Sequence, residues 1–408
     1  MTEPLRPRDS KQVEEAISWV LAQGKTLEVI GHGSKRAIGR AAQWDATLDL
    51  SGLSGVTLYE PEELVLSAKA GTPVSQIETL VAEKRQELAF EPMDYGPLLG
   101  SEIGAATIGG AIAANLSGPR RIKSGAARDH FLGFSAVSGR GETFKSGGRV
   151  VKNVTGYDLC KLMAGSWGTL AAMTDVTIKT LPKAETEQTI LVFGGDAAAA
   201  TKTMAAAMGS YGDASAAAHL PAAVAADIAE TASAHAAVTA LRLEGVAPSI
   251  AQRKSLLEEL LAPFGTLASL DEAASRALWR AIRDVTPFAA KGPRGDADIW
   301  RISTAPAHGA KVGRALADKA GAETLYDWAG GLIWAAMPRS DDAHAALVHA
   351  TVAAVGGHAT LIRAPAAVRA KVDVFTPEPP ALAALTLRVR KGFDPQGVLN
   401  AGRMWAGV

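Results

Sequence analysis

The chain has 408 residues, 48% of them hydrophobic and 21% charged, which allows two domains or one domain with a large insertion. Lysine plus arginine equals aspartate plus glutamate at 42 each, so the charge balance gives no reason to expect nucleic acid or an anionic membrane surface as a partner. The single cysteine, Cys160, excludes an intrachain disulfide and an iron–sulfur cluster held by cysteines of this chain alone.

The first 183 residues alternate predicted helices, strands and glycine-containing loops in an α/β pattern. An amphipathic helix is predicted over residues 9–22, with a capping box at Asp9 and a stop at Gly24. We place a domain boundary at Leu181-Pro182-Lys183, after the last strand of this part. The other elements predicted here are strands over residues 26–30, 64–69 and 170–180, and helices from after Pro73 to about Arg85 and over residues 157–164.

Residues 184–386 differ in character, because strand-like and helix-like segments alternate among long alanine runs. This alternation predicts an α+β layer domain, a sheet with helices on one side. We interpret the alanine bias of residues 197–240 as compositional drift without a function. A loop is predicted at Pro377 to Pro380, followed by a helix that ends near Arg390 and a loop from Gly392. The predicted strands cover residues 189–193, 238–243, 299–303, 331–336 and 360–363.

A glycine-rich turn, Gly31-His32-Gly33-Ser34, directly follows the first predicted strand. Glycines let the main chain turn sharply with its N–H groups pointing inward, and such a nest holds a phosphate. The alternative is an ordinary turn at a strand end, which two glycines also favour. The turn lacks the GxGxxG spacing of a dinucleotide-binding helix and the Gly-Lys-Ser/Thr of a Walker loop, so neither of those phosphate sites is predicted.

A second unusual stretch, Ala106 to Gly118, has almost no bulky side chains. A backbone that lies against a flat, extended ligand needs such empty space, whereas a packed core needs larger side chains. A tightly packed small-residue helix is the alternative. The basic residues that follow either neutralise a nearby diphosphate or form a solvated loop. They are Arg120, Arg121, Lys123 and Arg128.

Four ordered motifs and the chain's ending carry a resemblance to a known family. They read GHGS, ATIGGAIAANLSG, KSGAARDHFLGFSAV, KNVTGYDLCKLMAGSWGTLAAMTDVTIKTLP and KGFDPQGVLNAGR. Together they resemble the FAD-binding domain of the vanillyl-alcohol-oxidase type, which bacterial FAD-linked 2-hydroxy-acid dehydrogenases share. The resemblance spans residues 5–183, and among members it is strongest to the E-type FAD-binding subunit of glycolate oxidases. It implies an α+β fold: a two-lobed FAD-binding domain (1–183), an α+β cap domain (184–386) and a C-terminal segment that returns to the FAD site (387–408).

The resemblance also implies which residues contact FAD. The first pyrophosphate loop would be Gly31, His32, Gly33, Ser34 and Lys35. The second would be Thr107, Ile108, Gly109, Gly110, Asn115 and Gly118. Two further family stretches are matched by Gly125, Ala126, Arg128 and Asp129, with Ser124 in place of an aromatic residue, and by Gly165, Gly168 and Thr169, with Trp167 between them. The ending places Asn400 and Arg403 near the flavin, where Arg403 pairs either a substrate carboxylate or a structural partner.

Departures from the family pattern carry further expectations. Covalent members place a histidine at the position of Ser34, and serine cannot form that link, so FAD is expected to bind non-covalently. The histidine and acidic motifs that build a metal site in the catalytic relatives' cap have no match here, and the scattered histidines predict no metal site. The aromatic turn around Trp328 is interpreted as core or interface, and together with Trp405 as an exposed contact for partners.

The preferred hypothesis is an FAD-carrying subunit of a glycolate oxidase complex that oxidises glycolate to glyoxylate. The resemblance implies a catalytic flavoprotein partner of the D type and an iron–sulfur partner of the F type. The alternatives are a stand-alone FAD-dependent 2-hydroxy-acid dehydrogenase and a non-catalytic assembly subunit with a structural FAD. The first ten residues lack the apolar core of a signal peptide, and no stretch of about 20 apolar residues occurs, so we expect a cytoplasmic protein, peripheral at the inner membrane through its partners at most.

Overall fold

The structure is a computed structural model that describes residues 3–149 and 156–406. Its strands are β1 Leu27–Ile30, β2 Ala46–Asp49, β3 Val56–Glu60, β4 Val65–Lys69, β5 Gln86–Glu87, β6 Phe131–Ser138, β7 Thr143–Gly147, β8 Ala171–Lys179, β9 Leu181–Pro182, β10 Thr186–Phe193, β11 Ala216–Leu220, β12 Val238–Gly245, β13 Thr266–Leu270, β14 Asp298–Ser303, β15 Glu323–Asp327, β16 Leu332–Met337 and β17 His358–Arg363. Its α-helices are α1 Ser10–Ala22, α2 Val74–Ala82, α3 Tyr95–Leu99, α4 Ile108–Ala113, α5 Arg121–Ser124, α6 Ala127–His130, α7 Leu159–Met163, α8 Ala197–Met208, α9 Ala222–Ala225, α10 Ala247–Leu261, α11 Glu272–Arg283, α12 Pro306–Ala320, α13 Ala345–Ala353, α14 Ala366–Lys371 and α15 Pro380–Phe393.

The N-terminal part is built on a five-stranded antiparallel sheet in the order β3-β4-β8-β6-β7. Helices α2 and α4 cover it, and their buried side chains share one core with the strand residues Leu66 and Ile178. A separate parallel pair, β1 and β2, packs with α1 into a second small core. Helix α1 begins as predicted, because the Asp9 side chain accepts the Gln12 N–H at 2.8 Å, and it stops before Gly24 at φ +61°.

A second, eight-stranded antiparallel sheet forms the cap sheet, in the order β13-β10-β12-β11-β15-β16-β14-β17. Side chains alternate across it: Trp300 and Ile302 pack under α12 and α13, whereas Ile299 points to the opposite face. Helices α8 and α10 cover the first face as well, at the other end of the sheet. The expectation of helices on one side is wrong for α11, whose Leu278 and Trp279 pack on the opposite face.

Within the alanine-rich part the structure has a strand that the sequence did not predict. Strand β11, with the sequence AAAHL, is buried at every residue and lies between β12 and β15 in the middle of the cap sheet. Small side chains at this position let the helix α8 approach the sheet closely. The alanine bias therefore has a packing role here, and its interpretation as drift is wrong for this segment.

The predicted element boundaries differ from the structure in two further places. Helix α15 continues to Phe393, beyond the predicted end near Arg390, because Gly392 is accommodated within the helix. The helix predicted over residues 157–164 is shorter, Leu159–Met163. Residues 152–155, which open the fourth sequence motif, lie outside the described residues. No helix within the described ranges is long and apolar enough to cross a membrane.

The C-terminal segment returns to the first strand of the chain. The Leu27 N–H donates to the Val398 carbonyl at 2.8 Å, and the Asn400 N–H donates to the Leu27 carbonyl at 2.9 Å. These bonds place residues 398–403 beside the glycine-rich turn that follows β1. The division of the chain into domains at residues 183 and 386 stays a prediction.

Candidate functional site

A pocket with about 690 Å³ of empty volume, part of it open to solvent, lies where the glycine-rich turn, the start of α4 and the C-terminal segment meet. The predicted residues that line it are Gly31, His32, Gly33, Ser34, Lys35, Thr107, Gly109, Gly110, Gly168 and Arg403. Lining residues that the sequence did not single out include Leu50, Ala113, Ala114, Ala171 and Met173. Trp167 completes the wall, and its place beside Gly168 in the fourth motif was the available signal.

The turn after β1 offers a row of free backbone donors to this pocket. Among the described residues, the N–H groups of His32, Gly33, Ser34 and Lys35 have no hydrogen-bond acceptor. Gly33 has φ +75°, a left-handed conformation that turns the main chain so that these donors lie close together. Successive free amides of this kind form a concave site for an anion.

The start of α4 differs, because its backbone donors are already used. The Gly109 N–H donates to the Ala70 carbonyl at 2.8 Å, and the Gly110 N–H donates to the Thr107 hydroxyl at 3.2 Å. Thr107 is the N-cap of the helix. This wall therefore contributes shape to the pocket, while the turn after β1 contributes hydrogen-bond donors.

Glycine is needed at positions of the two loops for different physical reasons. A Cβ on Gly31 would lie 2.5 Å from the Thr107 hydroxyl oxygen, and one on Gly109 would lie 2.7 Å from the Ala70 Cβ. Both glycines therefore allow close packing within the protein. A Cβ on Gly110 would lie 3.1 Å from the Thr107 hydroxyl oxygen and 3.2–3.3 Å from the end of the flexible Lys35 side chain, and all three residues line the pocket. Close packing within the protein therefore explains Gly109, whereas the contact of Gly110 with a ligand stays a prediction.

Two cationic side chains face the pocket without a carboxylate partner among the described residues. Burial lowers the pKa of Lys35 to about 8, opposed by Asp94 and reinforced by Arg403, and its Nζ donates to the Ser34 hydroxyl at 3.1 Å. Burial likewise lowers the pKa of Arg403 to about 10. The Arg403 Nη2 donates to the Lys35 carbonyl at 3.3 Å, while its buried Nε has no hydrogen-bond partner in the described chain. Arg403 therefore forms no structural salt bridge with the described residues, which was one of the two alternatives for it.

Asn400 fixes the walls of the pocket without lining it. Its Nδ2 donates to the Trp167 carbonyl at 2.8 Å, and its Oδ1 accepts the Val29 N–H at 2.9 Å. A Cβ on Gly168 would lie 2.8 Å from the same Nδ2, and Gly168 has φ +71°. The asparagine thus joins the end of β1 to the Trp167 loop, so its effect on the pocket is through position.

The remaining predicted contacts lie outside the pocket lining, and most of them serve the local backbone. They are Ile108, Asn115, Gly118, Gly125, Ala126, Arg128, Asp129, Gly165 and Thr169. Ile108 is buried in the core under α4. The Asn115 side chain accepts the Arg128 N–H at 3.1 Å, and the Asp129 carboxylate accepts the Ala126 N–H at 2.9 Å. Their contact with a cofactor stays a prediction.

The basic residues after Gly118 are occupied elsewhere. Arg120 pairs with carboxylates of both parts of the chain, Arg121 stacks on Trp328, and Lys123 pairs with Asp213. The structure places none of these three side chains at the pocket. Lys35 and Arg403, together with Arg36 at its edge, are the cations that line it.

The expectation of an exposed contact for partners is wrong for Trp328, which lies in the core as the alternative interpretation had it, and stays a prediction for Trp405. Trp328 is 4% exposed, and its Nε1 donates to the Gly118 carbonyl at 2.9 Å. Trp405 is half-buried against Phe375. Aromatic rings of this size are buried because they bring a large apolar area into the core, and the sequence alone does not tell such a turn from a surface patch.

The chain is similar to proteins of known families. The FAD binding domain family matches residues 4–147, which include both loops of the pocket. The chain is 30% identical over 413 aligned residues to the glycolate oxidase subunit GlcE of Escherichia coli (strain K12), and the match covers 97% of each chain. It is also 33% identical to the glycolate oxidase subunit GlcD of Bacillus subtilis (strain 168), over 36% of this chain and 30% of that one.

Among solved structures, p-cresol methylhydroxylase with substrate bound superposes on 98% of this chain and 88% of its own, with a TM-score of 0.69. The two sequences are 12% identical, so the likeness shows a shared fold. It confirms the predicted fold class, an FAD-binding part of the p-cresol methylhydroxylase type with an α+β cap.

Proposed function

The chain belongs to the family of the glycolate oxidase subunit GlcE, and we propose that it is the FAD-holding subunit of a complex that oxidises glycolate to glyoxylate. It is an FAD-dependent oxidoreductase of that family. We propose that its partners are a flavoprotein of the GlcD type and an iron–sulfur subunit, and that the chain acts in the cytoplasm or at the membrane through them.

The observation that carries the proposal is the match with GlcE along both whole chains. A likeness restricted to the FAD-binding part would support only a shared cofactor, whereas this match includes the cap sheet and the C-terminal segment. The match with GlcD covers about a third of each chain, which fits two subunits that share a cofactor domain and differ elsewhere.

The residues of the pocket fit the diphosphate of FAD. The free N–H groups of His32 to Lys35 supply neutral donors, and the Lys35 and Arg403 cations supply the charge that two phosphates need. Ser34 is buried beside Lys35 and offers no covalent link, so we propose that the cofactor is held non-covalently. When bound there, FAD would supply the acceptor for a hydride from a 2-hydroxy acid.

We propose that electrons leave this chain through another protein. Cys160 is the only cysteine of the sequence, and burial raises the pKa of its thiol to about 11, which keeps it from acting as a thiolate ligand. An iron–sulfur cluster with cysteine ligands needs several thiolates from one site. A partner subunit with its own cluster therefore completes the path to an acceptor.

The test compares the purified, FAD-loaded chain with the same chain reconstituted with its GlcD-type and iron–sulfur partners. Glycolate-dependent reduction of a dye is followed in both samples, and the flavin content of each is measured. We expect no turnover by the lone chain and turnover in the complex that depends on this subunit. Turnover by the lone chain on the order of 10 per second would contradict the subunit proposal and support a stand-alone dehydrogenase.

One variant distinguishes a working flavin from a structural one. A chain with Gly110→Leu, which cannot retain FAD if the pocket is assigned correctly, is added to the same complex. Loss of turnover with the complex intact supports a flavin that takes part in the reaction. Unchanged turnover in an intact complex that lacks this flavin would mean that the subunit serves assembly alone.

A further inference from the structure

Two arginines from distant parts of the chain lie against one indole ring. The Arg121 guanidinium carbon is 4.3 Å from the centre of the Trp328 ring, and that of Arg301 is 5.0 Å from it. Arg301 also lies 6.0 Å from the centre of the Trp334 ring. Stacking on an aromatic face holds a guanidinium in place while leaving its N–H edge free to donate.

Neither arginine has an anionic partner. No carboxylate of the described residues lies within 4.0 Å of either guanidinium, and neither side chain donates a hydrogen bond to a described residue. Two acidic groups act on the pair, Asp129 on Arg121 and Asp327 on Arg301, and the Asp327 carboxylate also accepts the Trp328 N–H at 2.7 Å. Burial raises the pKa of Asp327 to about 7, so near neutral pH it compensates the Arg301 charge only in part.

The position of Arg301 in the cap sheet is informative. It lies on β14 directly opposite Trp334 of β16, on the same face as Ile299. The neighbouring residues Trp300 and Ile302 point into the core under the helices. A cation on this face is turned away from α12 and α13; α11 packs on the same face, and Arg121 of the N-terminal part stacks with Arg301 on Trp328 there.

Arg121 comes from that N-terminal part and connects the pair with the pocket. Ala113 and Ala114 line the pocket, and the chain runs from them through Leu116 to Arg121. Leu116 belongs to the same buried cluster as Trp328 and Trp334, and the pocket-lining Ala114 and Trp167 pack against that cluster. The two arginines lie outside the lining of the pocket that is proposed to hold FAD, and one buried cluster connects Trp328, on which both stack, with residues that line it.

We propose that Arg121 and Arg301 form a binding site for the carboxylate of a small 2-hydroxy acid, between the cap sheet and the N-terminal part. The choice of glycolate as the acid rests on the proposed function. A guanidinium donates two parallel N–H bonds to a carboxylate, which a single ammonium does not. Tyr95 packs edge-on against Trp334 at 6.4 Å, and its hydroxyl, with no hydrogen-bond partner among the described residues, is available to the same ligand.

Electrostatics around the pair favour an anion. Burial lowers the pKa of Arg301, and burial followed by the Arg301 charge lowers that of Arg121. His358 is subject to the same field, since burial, Arg301 and Arg121 each lower its pKa. Burial raises the pKa of the Tyr95 hydroxyl to about 12, so it stays protonated and able to donate. A bound carboxylate would relieve the repulsion between the two guanidinium groups.

The test measures glycolate binding to the FAD-loaded full chain by isothermal titration calorimetry, with the variants Arg301→Gln, Arg121→Gln and Arg301→Lys. We expect each glutamine variant to raise the glycolate dissociation constant by at least about tenfold, and the lysine variant to fall between them and the wild type. Lys123→Gln is the matched control, because it removes one positive charge from the same short helix at an exposed ion pair, and it should bind as the wild type does.

Flavin absorbance and thermal melting of each variant show whether it is folded and loaded. Arg121→Gln lies outside the sheet and keeps the test valid if Arg301→Gln fails to fold. Wild-type affinity for glycolate in both variants would overturn the inference, as would inorganic phosphate binding at the same arginines as tightly as glycolate. If the reconstituted complex oxidises glycolate while this chain binds none, the proposed function stands and the arginine site is wrong.

Discussion

Buried arginines occupy two contrasting settings in this molecule. In the first, Arg120 and Arg242 lie between the N-terminal part and the cap sheet, ion-paired with carboxylates from both sides: Glu87, Glu91, Glu187 and Glu244. In the second, Arg403 lies in the pocket beside Lys35 with no carboxylate partner among the described residues. We call the first the paired cluster, and the second the pocket cations.

Burial shifts pKa values in both settings, but opposite charges compensate it only in the paired cluster. In the paired cluster burial raises the pKa of Glu91, but Arg242 and Arg120 outweigh it and lower that pKa to about 2. At the pocket burial is not compensated, and it lowers the pKa of Lys35 to about 8 and that of Arg403 to about 10. In the paired cluster, ion pairs within the protein stabilise the charged side chains. The pocket cations have no such partner, so their charged forms become favourable only when an anionic ligand binds.

The largest effect is expected from breaking the paired cluster. Arg242 donates to Glu91 at 2.7 Å and to Glu187 at 2.8 Å, and Arg242→Met removes the nearest cation of both carboxylates, leaving Arg120 at 3.4 Å from Glu91 and Arg276 at 3.9 Å from Glu187. We expect the free energy of unfolding to fall by about 3–5 kcal/mol. Urea unfolding measures it, with Arg314→Met as the control because Arg314 and Asp196 form an exposed pair. A loss below about 1 kcal/mol would mean that the cluster does not stabilise the fold.

A smaller effect, confined to the cofactor, is expected from filling the pocket at Gly110. The side chain of Gly110→Leu would extend past the Lys35 ammonium into the pocket, so we expect at least about a hundredfold weaker FAD binding. Gly110→Ala meets the Thr107 hydroxyl at 3.1 Å and the movable end of Lys35 at 3.2–3.3 Å, contacts that small shifts relieve, so it should retain FAD. Flavin absorbance after gel filtration measures both variants. Full occupancy in Gly110→Leu would mean that the cofactor lies elsewhere.

Removing a pocket cation should act oppositely to removing a paired one. Arg403→Met takes away a buried charge that has no partner, so the FAD-free chain should keep its stability or gain a little. FAD binding should weaken by about 2 kcal/mol, or roughly thirtyfold, because a charge-assisted hydrogen bond is lost. Unfolding of the FAD-free chain and fluorescence titration with FAD separate these effects. A large loss of stability in the FAD-free Arg403→Met variant would mean that the pocket cations stabilise the fold as the paired cluster does.

The smallest expected effect is a pH dependence of FAD affinity. The FAD-free pocket lowers the pKa of Lys35 to about 8, and a diphosphate favours its protonated form, so binding takes up a proton above that pH. Affinity should therefore fall as pH rises through 8, by about tenfold between pH 7 and pH 9. The same titration with Lys35→Met should lose this dependence. An affinity that rises with pH in the wild type would contradict the assignment of Lys35.

Much of the fold and part of the site could be predicted from the sequence. The Gly-His-Gly-Ser-Lys turn after a short strand predicted a phosphate nest, and the structure gives that turn four free amide donors. The motif at the chain's end predicted that Asn400 and Arg403 return to the FAD site, and the structure places them beside the first strand and its glycine-rich turn. These features depend on residues that are close together in the chain or that belong to a recognisable family motif.

What could not be predicted depends on pairing between distant residues. The neighbouring sequence does not predict that Arg120 forms an ion pair with Glu244 or that Arg403 forms none with a described carboxylate. These pairings depend on which strands of the two sheets come together. Trp328 was expected at the surface, because the sequence of an aromatic turn does not distinguish a buried turn from an exposed one. Strand β11 was missed because alanines give no alternation of polar and apolar side chains to recognise.

The central claim is that the free amides and unpaired cations of the pocket hold FAD through its phosphates, without a covalent bond. Binding of FAD and of riboflavin, which lacks the phosphates, to the FAD-free chain tests it most directly. We predict that FAD binds at least about a hundredfold more tightly than riboflavin, that the difference largely disappears when Lys35 and Arg403 are both replaced by methionine, and that acid precipitation leaves the flavin in solution. Equal affinity for the two flavins, or yellow colour retained by the precipitated protein, would contradict the account.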